Sequence, residues 1–245
     1  MSTVIDLLKS HRSIRKFTDR PITPELFAQL IAAGQSAATS SFLQGSTVIR
    51  VTRPQVRAAI AGHAGNQKYV ETAAEFLVFC ADLKRAGNYC RKYDMPFEGD
   101  FTEHFIIATV DVALMAQSMV TAAESEGLGI CYIGGIRNNP GPVSELLELP
   151  RGVYPVFGLC LGYPDQDPEV KPRLPASVIL KQEVYNEEGD EEAIAAYDKL
   201  IEEYYRSRTG GGHGTPWTRQ VATLLSEKSR PHMRDFLAGQ GFKFK

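Results

Sequence analysis

The sequence predicts an α+β fold, and three observations support this prediction. Helical patterns outnumber strand patterns along the 245 residues. The predicted strands do not alternate strictly with helices, as they would in a doubly wound parallel sheet. Segments 75–81 and 154–162 are almost wholly apolar, which is typical of strands buried on both faces. We expect a single domain over residues 1–245, with a mixed central sheet packed by helices and a helical extension at about 190–245.

The individual elements follow from caps, breakers and apolar periodicity. Thr3 with Asp6 is a helix-start signal, as is Pro24 after Thr23. Such signals predict helices at residues 3–10, 23–34, 54–61, 102–126, 143–149, 190–208 and 217–228, with a short tail helix after Pro231. Strands are predicted at 47–52, 75–81, 130–133 and 154–162. Residues 83–101, with two glycines and a proline, predict an irregular flap, and residues 164–175 an extended coil.

The helix predicted at 102–126 is apolar on more than one face. This pattern is typical of a helix inside a large core or an oligomer interface. Asp111, Gln117 and Glu124 argue against a membrane span. No apolar run reaches the ~18 residues that a span needs, so we expect no membrane partner.

The composition excludes several functional classes. Lys plus Arg is 27 and Asp plus Glu is 29, a net charge of -2, which argues against a nucleic-acid partner. The 4 cysteines form no Cys-x-x-Cys pair, and the first residues resemble no secretory signal, so we expect reduced thiols and a cytoplasmic location. The 5 histidines lack zinc-site spacing, and we expect no metal. Phosphate-loop, dinucleotide-fingerprint and nucleophile-elbow motifs are also absent from the sequence.

Three short tracts suit a flat, anionic ligand. Residues 11–16 combine three cations with a hydroxyl and an imidazole, which suits a phosphate but also a solvated basic turn. Gly134-Gly135 follows a predicted strand and allows close backbone approach to a ligand, or a tight turn. Residues 171–173, Lys-Pro-Arg, hold two cations in extended coil, and alone they also fit a charged loop.

Seven ordered tracts give the sequence a family resemblance. They lie at residues 11–15, 39–44, 65–69, 74–80, 132–139, 157–162 and 171–176. In this order they resemble the oxygen-insensitive NADPH nitroreductase and flavin reductase P branch of the nitroreductase family. The likeness runs from about residue 3 to the tail and includes residues 227–231. It implies a homodimer of α+β subunits with one FMN at each of two interface sites.

The resemblance also implies a set of binding residues. Some bind the phosphate and ribityl of FMN, some lie along or over the isoalloxazine, and the N–H of Gly134 reaches flavin N5. Arg208 matches a residue that holds the 2′-phosphate of NADPH, whereas His213 stands where Arg or Lys is frequent, so NADH use stays open. The implied cofactor-binding residues are His11, Arg12, Ser13, Arg15, Thr39, Gln67, Lys68, Tyr69, Tyr132, Ile133, Gly134, Gly135, Lys171, Arg173 and Arg208.

The implied reaction is a two-electron transfer by a ping-pong mechanism. Hydride passes from NADPH through FMN to a nitroaromatic, a quinone or a related small acceptor. Fixed cations such as Arg15 and Lys171 would stabilise negative charge on the reduced ring, and no titrating catalytic side chain is required. Three alternatives stay open: a flavin reductase whose acceptor is free flavin, a flavin-binding carrier or sensor without turnover, and a structural module without flavin.

Overall fold

A computed structural model describes residues 3–208 and 214–245 of the chain. These residues divide into two compact units. The first unit contains the chain up to Pro168 together with His232–Lys245, and the second contains Glu169–Pro231. The single domain over 1–245 and its extension from about 190 remain predictions.

The first unit is built on a four-stranded sheet with the order β1-β2-β4-β3. Its strands are β1 (Ser46–Arg50), β2 (Glu75–Asp82), β3 (Gly129–Ile133) and β4 (Val153–Gly162). Each neighbouring pair is antiparallel. A parallel bridge joins Ser13 to Ile130 beside β3. The predicted strands are confirmed within one or two residues.

Alternation along β2 places a core cluster on each face of the sheet. Leu77, Phe79 and Ala81 belong to one cluster, and Phe76 and Val78 belong to the other. Every residue of β2 is buried, as its apolar sequence predicted. Since side chains alternate across a strand, a sheet covered on both faces needs apolar residues at every position. Truncation of Phe76 or Phe79 to Ala would cost about 3–5 kcal/mol of stability.

Helices α1 (Val4–Lys9), α2 (Pro24–Gln35) and α3 (Pro54–His63) begin where their caps predict. The Thr3 hydroxyl accepts from the Asp6 N–H, and the Asp6 carboxylate accepts from the Thr3 N–H. Thr23 caps α2 through the N–H of Leu26. The chain passes Gly34 in helical conformation, so α2 ends one residue later than predicted. A short helix α4 (Tyr69–Thr72) lies outside the predictions.

The predicted irregular flap at 83–101 is wrong for its first half, which forms helix α5 (Lys84–Lys92). Gly87 predicts an interruption of helical structure, but it lies inside this helix. A Cβ at this position would lie 3.1 Å from the ring of Phe97, so the glycine makes room for an aromatic side chain. The N–H of Arg85 donates to a carboxylate oxygen of Asp82 at 3.1 Å, which stabilises the first turn.

Helix α6 (Thr102–Ser125) is the long helix that the sequence predicted. Its length and mean hydropathy of 1.7 would suffice to cross a membrane. However, Val112, Ala116 and Val120 are fully buried in the protein core. The carboxylate of Asp111 is also buried and hydrogen-bonded to backbone N–H groups. We therefore describe α6 as a core helix.

The chain after β3 forms a 3-10 helix (Gly134–Asn138) and then α7 (Pro140–Leu146). The predicted helix at 143–149 is therefore displaced. It begins three residues earlier because Pro140 occupies its first turn, where a missing N–H costs nothing. It ends before Glu148, which has a positive φ of 52°. Helix α11 (Met233–Gly239) completes the first unit.

The second unit contains α8 (Ala176–Ile179), α9 (Asp190–Arg208) and α10 (Trp217–Ser226). Tyr197, Ile201 and Tyr204 are buried along one face of α9, as the apolar spacing predicted. The ring of Trp217 meets that of Tyr197 edge-on at 5.9 Å, which attaches α10 to α9. His213 lies outside the described residues.

Candidate functional site

The basic tract at residues 11–15 runs beside β3. Ile14 is buried, and its N–H donates to the carbonyl of Ile130 at 2.8 Å. Its side chain packs so tightly that a Cβ on Gly129 would lie 2.5 Å from it. Because Ile14 is fixed in the core, the side chain of Arg15 is exposed on the other side of the tract. An apolar anchor thus positions a cation.

His11 is oriented by a carboxylate of α6. Its Nδ1 lies 2.6 Å from Oε1 of Glu124, whose side chain is 11% exposed. This contact occupies Nδ1 and leaves Nε2 as the nitrogen available to another group. Glu124 is not among the predicted binding residues. The available signal was a charged residue within an otherwise apolar helix.

Arg12 lines a cavity whose lining residues do not include Arg15. It forms an ion pair with Asp167, and its Nη1 donates to the carbonyl of Ser10 at 3.1 Å. It lines a cavity of about 400 Å³ together with Glu124 and Gly129. Arg12 therefore already has a counter-charge within the first unit, whereas the resemblance assigned it to a phosphate.

Arg15, Tyr69 and Cys131 form a cluster that joins two predicted tracts. The Tyr69 hydroxyl interacts with the Arg15 side chain and with the Cys131 thiol. Burial raises the pKa of Tyr69 above its ordinary value, and the neighbouring cation opposes this shift. Burial also raises the pKa of the Cys131 thiol. Cys131 is therefore a neutral thiol at neutral pH, and Tyr69 retains its proton as a donor.

Gln67 connects this cluster to the glycine pair. Its Nε2 would lie 3.0 Å from a Cβ added to Gly135, so the two residues are in close contact. That Cβ would also lie 2.4 Å from the carbonyl oxygen of Ala64. The need for glycine at position 135 therefore comes from packing against Ala64, the residue that follows α3. Gly134 has more room, since its nearest neighbour would be Arg137 at 3.3 Å.

Two buried oxygens at predicted binding residues lack hydrogen-bond partners among residues 3–208 and 214–245. They are Oε1 of Gln67 and Oγ1 of Thr39. A buried polar atom without a partner costs about 1–3 kcal/mol, so such atoms mark places where a ligand donor or acceptor is expected. Gln67 lies between the tyrosine cluster and the glycine pair. Thr39 lies elsewhere, on a cavity of about 200 Å³ that Gly34 and Met115 also line.

The remaining residues of these tracts differ in burial and in their contacts. Lys68 is exposed, and its Nζ lies 3.2 Å from the Glu71 carboxylate. Tyr132 is half-buried, and burial raises its pKa to about 12. The Ile133 side chain is fully buried in the core, so only its backbone could meet a ligand. Ser13 lies next to β3 through its bridge to Ile130.

In the second unit, the Lys-Pro-Arg tract lies against α9. Lys171 Nζ donates to the Tyr205 hydroxyl at 2.7 Å, and the Tyr197 hydroxyl donates to the carbonyl of Pro172 at 3.0 Å. Burial raises the pKa of Tyr197, and the charges of Lys171 and Arg173 oppose that shift. Arg208 is exposed at the end of α9, and its guanidinium donates to the Tyr204 hydroxyl at 3.3 Å.

The structure therefore brings together three predicted tracts of the first unit: 11–15, 67–69 and 132–135. It places Thr39 on another wall of that unit. Within the described residues, no group of three or more His, Cys, Asp or Glu side chains could hold a metal ion. The arrangement offers cations, a phenol, an unpartnered amide oxygen and backbone at a glycine pair. These groups suit binding and charge stabilisation of an anionic, planar ligand.

Comparisons with known proteins give consistent results. The model of the nitroreductase family matches residues 8–163, and that of the nitroreductase family C-terminal domain matches residues 171–245. The chain is 46% identical over 241 residues to an NADPH-flavin oxidoreductase of Vibrio harveyi, covering 98% of each protein. It is 44% identical over 242 residues to an oxygen-insensitive NADPH nitroreductase of Salmonella typhimurium, covering 99% of each.

Solved structures agree with the sequence comparisons. The chain superposes on the NADPH:FMN oxidoreductase of Vibrio harveyi complexed with NAD+ with a TM-score of 0.91. The identity is 44%, and 99% of each chain is covered. The predicted fold class, α+β of this kind, is therefore confirmed.

Proposed function

Because the chain belongs to the nitroreductase family, we propose that it is an FMN-dependent oxidoreductase. The electron donor is NADPH, and the acceptors are nitroaromatics, quinones or related small molecules. When bound, FMN would supply the hydride and electron chemistry that links NADPH to the acceptor in two separate, ping-pong half-reactions. The observation that supports this most directly is the convergence of tracts 11–15, 67–69 and 132–135.

The residues of the first unit fit an FMN group. Arg15 offers a guanidinium, and Ser13 a hydroxyl, both suited to a phosphate. Gln67 has a buried, unpartnered Oε1 within the described chain, and a flavin ring has N–H groups that could satisfy it. The backbone at Gly134 is half-buried and free of a Cβ. We assign phosphate and ribityl binding to His11, Arg12, Ser13 and Arg15, and ring contacts to Gln67, Lys68, Tyr69, Tyr132, Ile133, Gly134 and Gly135. For Arg12, the phosphate would replace the exposed Asp167 carboxylate as the counter-charge. Thr39 lies on another wall of the unit, and we assign it a contact with an FMN that lies at a subunit interface.

The chain's own groups bind and stabilise charge rather than react. Glu124 contacts Nδ1 of His11 and leaves Nε2 available to a ligand. Tyr69, whose pKa burial raises, stays protonated and can donate a hydrogen bond. The cation at Arg15 would stabilise the negative charge of the phosphate and of the reduced ring. We assign no side chain as general acid, general base or nucleophile.

NADPH specificity is assigned to Arg208. Its exposed guanidinium makes one 3.3 Å contact with the Tyr204 hydroxyl, and the rest of the fork is free for a phosphate among the described residues. NADH remains a second possible donor.

We further propose a homodimer located in the cytoplasm. The exposed face of α6 supports the dimer, because Ile106, Val110 and Leu114 follow one another at spacings of four residues and are 44–48% exposed. An apolar stripe of this kind is typical of an interface. Phe42, beside Thr39, is 81% exposed. These features support placing each FMN at the subunit interface.

A second candidate function uses the same residues. The relative from Vibrio harveyi is named an NADPH-flavin oxidoreductase, so free flavin is an equally reasonable acceptor. Turnover rates with free FMN and with a nitroaromatic, measured at the same NADPH concentration, distinguish the two activities.

The decisive experiment is a visible spectrum of the purified protein, followed by anaerobic titration with NADPH. The proposed function predicts a flavin absorbance band that NADPH bleaches and that a nitroaromatic restores. A band that NADPH leaves unchanged would indicate a flavin carrier or sensor. A colourless protein that gains no absorbance from added FMN would refute flavin binding altogether.

A further inference from the structure

The loop at residues 40–45 has an unfavourable backbone conformation. Ser41, Phe42 and Gln44 have φ values of 48°, 56° and 53°. These values lie in the left-handed region, which residues with a Cβ adopt rarely and at a cost in free energy. Three such residues within four positions do not hold this conformation by their own preference. Neighbouring groups must therefore stabilise it.

A buried carboxylate on α6 contacts both ends of this loop. Oδ1 of Asp111 accepts from the N–H of Ser40 at 3.1 Å, and Oδ2 accepts from the N–H of Gly45 at 3.1 Å. The Asp111 residue is 1% exposed. Hydrogen bonds to an ionised acceptor are stronger than neutral ones, and burial limits competition from water. One side chain thus fixes the beginning and the end of the strained segment.

Close packing supports the same attachment. A Cβ on Gly45 would lie 3.3 Å from both Cα and Cβ of Ala108, one turn before Asp111. The loop backbone therefore lies directly on α6. Thr39 directly precedes this loop, and its Oγ1 is buried without a partner in the part of the chain that the structure describes.

We propose that Asp111 is a positioning residue that holds residues 40–45 in the conformation in which Thr39 meets the cofactor. The role of Thr39 rests on the proposed function. The attachment of the loop rests on the Asp111 contacts alone. In the sequence alone, Asp111 indicates only that the helix is not a membrane span.

The main test compares Asp111→Asn with Glu75→Gln. Asparagine keeps the shape but replaces one acceptor oxygen by a donor, so one of the two backbone bonds is lost. Glu75 is a matched control, because it is also a buried carboxylate but pairs with Arg50, on β1. Amide hydrogen exchange of residues 40–45 is measured in the FMN-free protein. We expect about tenfold faster exchange in Asp111→Asn and no change in this segment in Glu75→Gln.

The second measurement is FMN affinity by fluorescence titration, in a double-mutant cycle with Thr39→Ala. We expect each single variant to weaken FMN binding about fivefold. If Asp111 acts through Thr39, the double variant should be no weaker than Thr39→Ala, since the same contact is lost only once. Glu75→Gln should bind FMN as the wild type does.

Unchanged exchange in residues 40–45 of folded Asp111→Asn would overturn the positioning role. So would fully additive effects of the two substitutions on FMN affinity. If Asp111→Asn does not fold, Gly45→Ala tests the same attachment, because its Cβ would push the loop from Ala108 while Asp111 stays intact. A wild-type protein that binds no FMN would refute the proposed function and the cofactor part of this proposal. The exchange measurement decides the loop attachment separately.

Discussion

Two groups of polar side chains in the first unit differ in how their hydrogen bonds are satisfied. The guanidinium groups of Arg50 and Arg57 form hydrogen bonds with other groups of the protein. Arg50 binds both oxygens of Glu75, and Arg57 donates to the carbonyls of Val70 and Ala73. In contrast, Gln67 and Thr39 have buried oxygens without a partner in the described chain. The first group stabilises the fold, and the second has hydrogen-bonding capacity left for a ligand.

This difference is more informative than charge or exposure. Arg15 and Arg57 are both arginines near Tyr69, and composition cannot separate them. Burial lowers the pKa of Arg57. Its guanidinium donates hydrogen bonds to two backbone carbonyls. Arg15 is exposed, and the preceding residue, Ile14, is fixed in the core. A polar side chain whose hydrogen bonds are all made within the protein therefore has a structural role. A polar side chain on a fixed backbone that still lacks hydrogen-bond partners is a candidate for ligand binding.

Among these polar side chains, the largest expected effect is on stability, in Arg57→Ala. This substitution removes the donors of two carbonyls near α4, and we expect a loss of about 3 kcal/mol in the free energy of unfolding. Denaturant unfolding of the FMN-free protein measures it. Arg53→Ala, at an exposed position four residues earlier, is the control and should change stability by less than about 0.5 kcal/mol. Equal stability of the two variants would show that Arg57 does not stabilise the fold.

Arg15→Ala should weaken FMN binding and leave the stability of the protein nearly unchanged. We expect FMN to bind about thirtyfold more weakly, which corresponds to about 2 kcal/mol, because a charge-assisted contact to the phosphate is lost. Thermal unfolding of the FMN-free protein should change little. Lys16→Ala, also exposed and adjacent, is the matched control and should keep wild-type affinity. Unchanged FMN occupancy in Arg15→Ala would contradict its assignment to the phosphate.

Much of the fold was predictable from local patterns. The capping pair Thr3–Asp6, the apolar run of β2 and the apolar face of α9 each have short-range signals, and each prediction is confirmed. The helix α5 was not predicted because Gly87 is explained only by Phe97, ten residues later in the chain. Local propensity cannot register such a contact.

The candidate site was predictable only as separate tracts. Each tract alone fitted a turn or a charged loop, and the family resemblance joined them. The roles of Glu124 and Asp111 depend on contacts over 113 and 66–71 residues of sequence. Position 135 is a similar case, because its glycine is required by the carbonyl of Ala64, which directly follows helix α3. Long-range packing of this kind leaves no pattern in a single sequence.

Gln67→Leu tests whether the buried, unpartnered Oε1 of Gln67 serves the ligand or the fold. Leucine removes the unpartnered Oε1 at nearly constant volume, so stability of the FMN-free protein should stay the same or rise slightly. FMN affinity should fall about fivefold, which corresponds to about 1 kcal/mol. Differential scanning calorimetry and fluorescence titration provide the two values. A clear loss of stability with normal FMN affinity would show that Gln67 belongs with Arg57 as a structural residue.

The smallest expected effect is at Arg208, where the comparison extends to the second unit. Lys171 is engaged by the Tyr205 hydroxyl at 2.7 Å, whereas Arg208 is exposed and makes a 3.3 Å contact with Tyr204. We expect Arg208→Ala to raise the KM for NADPH about threefold, since an exposed guanidinium–phosphate contact is worth ~0.7 kcal/mol. The KM for NADH, which lacks the 2′-phosphate, should not change. Arg206→Ala is the control, because Arg206 already pairs with Glu202 on the same helix. Equal effects on the two nucleotides would place the 2′-phosphate contact at another residue.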